Sequence, residues 1–166
     1  LLIASQRPDL VKGLVLADPG LSLDKGISAK VKNEITSNFR FETLDEAKAA
    51  MPFSSHWSDE MREHYAKYSF KQLEDGKYEW RYFPAGARYT EAQLEDDMWH
   101  RIKVECPTLI MRGEQSMVFP PENMEKLKEL IPDSEGCDVV GCDHRISQDQ
   151  PIGMAALIDE FVQRLN

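Results

Sequence analysis

Apolar residues are concentrated in three short stretches that are separated by longer, more polar regions. The first stretch, at 11–17, is nearly unbroken and ends at an Asp-Pro-Gly turn. A run of this kind is typical of a strand that is buried on both faces of a parallel sheet. Residues 106–112 and 136–140 show two further strand patterns, and each is followed by glycine. The sequence therefore predicts three parallel strands with short loops at their carboxyl ends.

Helices are predicted next to each of these strands. Residues 1–8 look like the last turns of a helix that Pro8 ends, because the residue before proline disfavours helical geometry. Two amphipathic helices are predicted at 122–131 and 151–165. Their apolar faces consist of Met124, Leu127, Leu130 and Ile131 on the first, and Met154, Ile158, Phe161, Val162 and Leu165 on the second. Helices alternating with buried strands predict an α/β fold.

Positions 22–100 have a different character, with polar, aromatic and helix-forming residues and no second apolar strand pattern. We predict an inserted helical region. Capping boxes at 43–46 and 90–93 mark two helix starts. Ser58 is predicted to cap a third helix, whose apolar face consists of Met61, Tyr65 and Tyr68. A turn at Asp75 and Gly76 precedes a short extended segment at 77–82.

Composition narrows the classes of partner. The formal charge of −9 and the lack of a Lys or Arg cluster argue against nucleic acid. Three cysteines without a C-x-x-C pair argue against a disulfide framework or a zinc site. The sequence shows no apolar run of about 20 residues and no signal-peptide pattern at its start. We therefore expect a cytoplasmic protein that uses neither nucleic acid nor membrane as a partner.

Several stretches resemble the second half of the α/β-hydrolase superfamily. They are RPDLVKGLVLADP at 7–19, CPTLIMRG at 106–113, and GCDH at 141–144 followed by DQP at 149–151. The resemblance implies the C-terminal half of an α/β-hydrolase fold with an inserted helical cap. It divides the chain into a core segment at 1–21, a helical cap at 22–100, and a second core segment with the histidine loop at 101–166.

The superfamily hydrolyses its substrates with a nucleophile on a sharp strand-to-helix turn, an acid and a histidine, in that chain order. His144 matches the catalytic histidine, since a neutral imidazole can accept the proton of the nucleophile and return it to the leaving group. No G-x-S-x-G motif occurs in the sequence. We expect the nucleophile just upstream of Leu1, so that its identity as Ser, Asp or Cys is open.

The acid departs from the commonest pattern of the superfamily. Many relatives carry an aspartate three residues after the glycine that ends the strand at 107–113, and this chain has Ser116 there. Some branches take the acid from the end of the strand after the nucleophile helix, which is the place of Asp18. We assign the acid to Asp18, with Glu114 as the alternative. An aspartate before proline is also a good turn former, so Asp18 has a structural interpretation as well.

The substrate is predicted only as a small organic molecule with an ester, lactone, amide or related bond. Aromatic residues of a cap often line an apolar pocket, which suggests Trp57 and Trp80 as substrate-binding residues, although packing of the cap explains them equally well. Met117 and Arg145 flank the expected catalytic edge and are further candidates. We expect no metal and no organic cofactor.

The sequence is compatible with two other interpretations. The hydrolase fold also serves as a non-catalytic, ligand-binding receptor or scaffold, and the serine at an often acidic position favours that alternative slightly. The 166 residues are also expected to be inactive by themselves, as a truncated fragment would be, and to need the N-terminal half of the same fold as a partner. Without that half, the exposed strand edge and apolar face would favour aggregation.

Overall fold

A computed structural model describes residues 1–23, 25–29, 40–51, 57–81 and 97–165. The chain forms two compact units, one of Leu1–Leu23 with Asp96–Asn166 and one of Asp24–Glu95. The domain limits expected from the sequence, at 21/22 and 100/101, lie a few residues from the limits of these units. The capping box expected at 90–93 lies outside the described residues, as does His56.

The elements are numbered here in chain order over the described residues. The strands are β1 (Leu14–Ala17), β2 (Arg40–Phe41), β3 (Phe70–Gln72), β4 (Tyr78–Trp80), β5 (Thr108–Gly113) and β6 (Ser134–Val139). The helices are α1 (Leu2–Gln6), α2 (Leu44–Ala49), α3 (Asp59–Ser69), α4 (Pro121–Leu130), α5 (Ile146–Asp149) and α6 (Pro151–Arg164). Short 3-10 turns occupy Pro8–Leu10 and Trp99–Arg101, and residues 25–29 are helical. None of the described helices combines the length and the apolar composition that crossing a membrane requires.

The first unit is built on a parallel three-stranded sheet with the order β1-β5-β6. Leu14 of β1 pairs with Thr108 of β5, and Thr108 pairs in turn with Ser134 of β6. The three strands predicted from the sequence are thus confirmed as parallel neighbours. Because they are parallel and in register, their carboxyl ends lie together at one edge of the sheet.

Apolar packing covers both faces of this sheet. Every residue of the central strand β5 is buried, and successive side chains point to opposite faces. Ile110 belongs to one cluster together with Leu127 of α4, whereas Leu109 and Met111 belong to another together with Phe161 of α6. The helices α4 and α6 therefore lie on opposite faces of β5.

Parts of the helix predictions need correction. Leu130 is 39% exposed and Val162 is 44% exposed, so neither belongs to the buried face on which the periodicity placed it. Both lie near the carboxyl end of a helix, but Ile131 and Leu165, which follow them, still pack against the core clusters. The short helix α5, between the histidine loop and α6, was not predicted because it has too few residues to show a periodicity.

The sequence predicts a helical region with one short extended segment, but the described part of the second unit contains more strand than that. Its described residues include an antiparallel sheet with the order β2-β4-β3. The extended segment expected at 77–82 is present as β4, which pairs with β2 on one side and β3 on the other. Tyr78 and Trp80 of this strand pack against the apolar cluster of the unit. The short strands β2 and β3 were missed, since two or three residues carry no visible alternation.

Helix starts in the second unit follow the sequence signals. Thr43 Oγ1 accepts the Glu46 N–H at 3.1 Å and the Glu46 carboxylate accepts the Thr43 N–H, so the capping box of α2 is confirmed. Ser58 Oγ accepts the Met61 N–H at 3.1 Å at the start of α3. Tyr68, expected on the buried face of α3, is 58% exposed and was placed wrongly.

Candidate active site

Polar side chains follow all three parallel strands at the carboxyl edge of the sheet. Asp18 comes directly after β1, Ser116 lies in the loop after β5, and His144 lies in the loop after β6. Parallel pairing brings these loops together although they are far apart in the sequence. All three residues belong to the first unit. Asp18 and the loops at 113–120 and 141–149 therefore share one edge of the sheet.

The central contact of this edge joins Asp18 and His144. His144 Nδ1 lies 2.9 Å from Asp18 Oδ1. The Asp18 side chain is 0% exposed, whereas the His144 side chain is 48% exposed. An ionised carboxylate only accepts hydrogen bonds, so the contact requires a hydrogen on Nδ1. The neutral ring then has an unprotonated Nε2, which is the nitrogen that can accept a proton from another group.

The Asp18 carboxylate receives two further hydrogen bonds, one from the last residue of β5 and one from the loop that follows it. The Gly113 N–H donates to Oδ2 at 2.7 Å, and the Ser116 hydroxyl donates to Oδ1 at 2.6 Å. Asp18 thus has donors for both carboxylate oxygens, as a buried charge requires. Its backbone has a positive φ of 50°, in the left-handed region that aspartate tolerates better than most residues.

The position of the histidine loop depends on the glycine that ends β5. A Cβ atom at Gly113 would lie 2.0 Å from the backbone carbonyl oxygen of Asp143, the residue before His144. Only glycine allows this close approach. The Asp149 carboxylate accepts the Asp143 N–H at 3.0 Å, and the Asp143 carboxylate accepts the Arg145 N–H at 3.0 Å. These contacts hold the loop on both sides of His144.

Glu114, the alternative acid, has another role in the structure. Its Oε2 accepts the Gly141 N–H at 3.1 Å, and Gly141 has a positive φ of 72° at the turn into the histidine loop. Of the two carboxylates, Asp18 is the one that contacts His144. Nearby, Arg112 forms a bidentate pair with Asp138 through two hydrogen bonds of 2.7 and 2.8 Å. The guanidinium of Arg112 lowers the pKa of the Asp138 carboxyl.

Two further histidines and two cysteines have other surroundings. His64 stacks on Tyr68 in the second unit, and His100 Nε2 accepts a hydrogen bond from Arg101. Burial raises the pKa of the Cys137 and Cys142 thiols, which is the opposite of what a nucleophilic thiol needs. Over the described ranges, no His, Cys, Asp and Glu side chains form a group that could hold a metal ion.

The four predicted substrate-binding residues fall into two groups. Trp57 is 5% exposed and packs against Tyr65, and Trp80 packs on Phe70 with ring centroids 4.2 Å apart, both inside the second unit. These contacts favour packing, the second explanation that the sequence left open for the tryptophans. Met117, by contrast, is 76% exposed beside Ser116. Arg145 directly follows His144 and is half-buried.

Two residues of the site were missed as functional candidates. Ser116 was noted only because it replaces a common acid, and Gly113 only because it ends a strand. The signal available for both was their place at the carboxyl end of a buried strand, where backbone N–H groups and small side chains of one loop meet the residues of the next.

The comparisons with known proteins agree with the geometry. The sequence model of a family described as the alpha/beta hydrolase fold matches residues 1–151. No curated protein sequence matches the chain. Among solved structures, E-2-(acetamidomethylene)succinate hydrolase superposes with a TM-score of 0.84 at 22% identity, and it covers 98% of this chain.

Two esterases superpose as well. One from a marine microorganism has a TM-score of 0.68 at 20% identity and covers 95% of this chain, and one from Mycobacterium tuberculosis has a TM-score of 0.65 at 21% identity and covers 97%. At these identities the likeness concerns the fold. The chain spans 61% of the succinate hydrolase, 63% of the marine esterase and 55% of the mycobacterial esterase.

Proposed function

The chain belongs to the α/β-hydrolase fold family, and from this premise we propose that the intact protein is a hydrolase of a small organic substrate. It cleaves an ester, lactone, amide or related bond with a nucleophile, His144 and Asp18. The nucleophile comes from outside the 166 residues, as do the backbone N–H groups that stabilise the oxyanion. The reaction needs no metal and no organic cofactor.

One observation carries this proposal, namely the hydrogen bond between His144 and the fully buried Asp18 carboxylate. A surface histidine has no need of such a partner. The carboxylate fixes the tautomer of the ring and stabilises the positive charge that the ring acquires when it takes a proton. The pair therefore has the arrangement of a general base held by an acid.

The proposed sequence of proton transfers follows from the tautomer. If the nucleophile is serine or cysteine, Nε2 of His144 accepts the proton of its hydroxyl or thiol as the oxygen or sulfur attacks the carbonyl carbon of the substrate. The imidazolium returns this proton to the leaving group. If the nucleophile is serine or cysteine, water then attacks the acyl intermediate, and His144 acts as base a second time. Asp18 stays ionised throughout and, of the groups that exchange protons, contacts only the His144 ring.

The chemistry of the bond is supported less directly. The structures that resemble this chain include proteins named as esterases, a thioesterase domain and a deformylase of a maleamic acid derivative. Acyl transfer to water is the chemistry that these names share. Met117 and Arg145 remain our candidates for contacts with the substrate, since both lie next to residues of the site.

The alternative is a receptor or scaffold that binds a ligand without turnover. Ser116 was the feature that favoured it, because a serine cannot replace the acid. That argument loses its force when Asp18 contacts His144, since the acid then comes from the neighbouring strand.

Turnover of aryl esters and anilides by the intact protein separates the two functions. We expect hydrolysis that the His144→Ala variant lacks and that the His100→Ala variant keeps. His100 is the matched control because it is exposed and lies outside the site. Saturable binding of these compounds without release of the aryl product, in every variant, would identify a receptor.

A further inference from the structure

The Ser116 hydroxyl has only one possible direction for its hydrogen. Ser116 Oγ accepts the Val118 N–H and the Phe119 N–H, each at 3.2 Å. A hydroxyl has one hydrogen and two lone pairs, and these two N–H groups occupy both lone pairs. The hydrogen is therefore left for Asp18 Oδ1, at 2.6 Å. Ser116 is 7% exposed, so water does not compete for this bond.

The same carboxylate oxygen receives the hydrogen bond from His144. Asp18 Oδ1 lies 2.6 Å from Ser116 Oγ and 2.9 Å from His144 Nδ1, while Oδ2 is held by the Gly113 N–H. The carboxylate cannot turn about its Cβ–Cγ bond without breaking a buried hydrogen bond. Its orientation toward the imidazole is thus fixed by the Gly113 N–H at the end of β5 and by the Ser116 hydroxyl in the loop that follows.

We propose that Ser116 is a positioning residue, whose hydroxyl fixes the Asp18 carboxylate in the orientation that His144 requires. This inference rests on the proposed function, because it assumes that Asp18 is the acid. Ser116, at the position where many relatives carry the acid, then still contributes to the site. It supports the acid that follows β1 instead of supplying an acid after β5.

A structural role would also explain a buried serine, so the test needs a control that likewise removes a short serine hydrogen bond in the same unit. Ser134 is suitable, because its hydroxyl donates to the Ile131 carbonyl at 2.6 Å and is partly buried at the start of β6. Ser134→Ala removes one short hydrogen bond of the same unit and leaves Asp18 untouched. Both alanine variants are therefore expected to lower the melting temperature, but only one should affect turnover.

The experiment measures kcat and KM of the intact protein for an aryl ester in the wild type and in Ser116→Ala, Ser116→Thr and Ser134→Ala. Removal of one hydrogen bond to a charged group predicts a loss of about tenfold in kcat for Ser116→Ala, with KM nearly unchanged. Ser116→Thr keeps a hydroxyl and should recover most of the loss. Ser116→Cys fills the space with a weaker donor, and it replaces the alanine variant if that variant does not fold.

A spectroscopic signal gives a second readout. The hydrogen of His144 Nδ1 should give a low-field proton resonance that shifts in Ser116→Ala and stays in place in Ser134→Ala. If Asp18→Asn is inactive but Ser116→Ala keeps the kcat and the resonance of Ser134→Ala, the positioning role is wrong and the proposed function stands. If Asp18→Asn turns over normally, the acid assignment fails and the role of Ser116 fails with it.

Discussion

Replacement of Asp18 by asparagine removes the charge of the buried acid with the smallest possible change in shape. Asparagine tolerates the left-handed backbone at this position, where φ is 50°, so the main chain need not change. The difficulty lies in the side chain. The carboxylate accepts from three donors, whereas an amide offers one acceptor oxygen and one donor NH₂ group.

Neither orientation of the amide satisfies this site. With its oxygen toward the Gly113 N–H, the NH₂ group faces His144 Nδ1 and forces that nitrogen to accept. The ring hydrogen then moves to Nε2, which can no longer take a proton from the nucleophile. With its oxygen toward His144, the NH₂ group faces the Gly113 N–H, and two buried donors oppose each other. An unsatisfied buried donor costs about 1–3 kcal/mol.

The expected loss of turnover is large. The same substitution in Ser-His-Asp triads lowers kcat about 10⁴-fold, mainly because of the wrong tautomer. We expect a loss of about 10³- to 10⁴-fold for Asp18→Asn, which corresponds to about 4–5 kcal/mol of transition-state stabilisation. Unfolding should become easier by the smaller amount of about 1–3 kcal/mol given above. Turnover should therefore fall in protein that is still folded.

The assay compares steady-state hydrolysis of an aryl ester by the intact wild type, Asp18→Asn and Glu114→Gln, with thermal unfolding of each variant. Glu114→Gln is the matched control, because Glu114 contacts the Gly141 N–H at the same edge of the sheet. It should keep turnover within about threefold, since an amide oxygen can accept the same bond. Near-normal turnover of Asp18→Asn, or a large loss in Glu114→Gln alone, would refute the reasoning.

Two further substitutions test the surroundings of the site. Gly113→Ala must push the Asp143 carbonyl away, so we expect a loss of about 1–3 kcal/mol in unfolding free energy and at least tenfold in kcat. Gly153→Ala, where a Cβ atom meets nothing within 3.8 Å, should be harmless, and equal effects of both would contradict the close-approach argument. Asp138→Asn should cost about 1 kcal/mol at pH 7. Arg112 lowers the pKa of Asp138 below its ordinary 3.8, so this difference is present at neutral pH and shrinks as the pH falls below about 4. Chemical unfolding at pH 7 and pH 3 measures it, and an equal difference at both would contradict the assignment.

The sequence predicts the central strand of the main sheet well because every residue of β5 is buried, whereas β1 and β6 on either side of it are only partly buried. The run at 11–17 and the pattern around Ile110 leave few structures other than buried strands, and burial of every β5 residue agrees with this. Parallel order then places Asp18 and His144 at one edge. Chain order and strand ends are thus enough to bring the pair into one region, and coordinates are needed for the 2.9 Å contact.

Details that depend on packing could not be predicted from the sequence. Tyr68 and Val162 fit the helical periodicity, but only the position of the neighbouring elements decides that they face outward. The role of Ser116 depends on its three hydrogen bonds, which join residues that are up to 98 positions apart in the sequence. The antiparallel sheet of the second unit has strands of two or three residues, and these are too short for a recognisable pattern.

The most direct test of the account is chemical rescue of the His144→Ala variant of the intact protein with imidazole. The His144 side chain is 48% exposed, so free imidazole can enter the space that alanine leaves. If His144 is the general base, its loss should reduce aryl-ester turnover by about 10³-fold or more, and added imidazole should restore part of it in a saturable way. His144→Ala protein that hydrolyses the ester at the wild-type rate without imidazole would contradict the central claim.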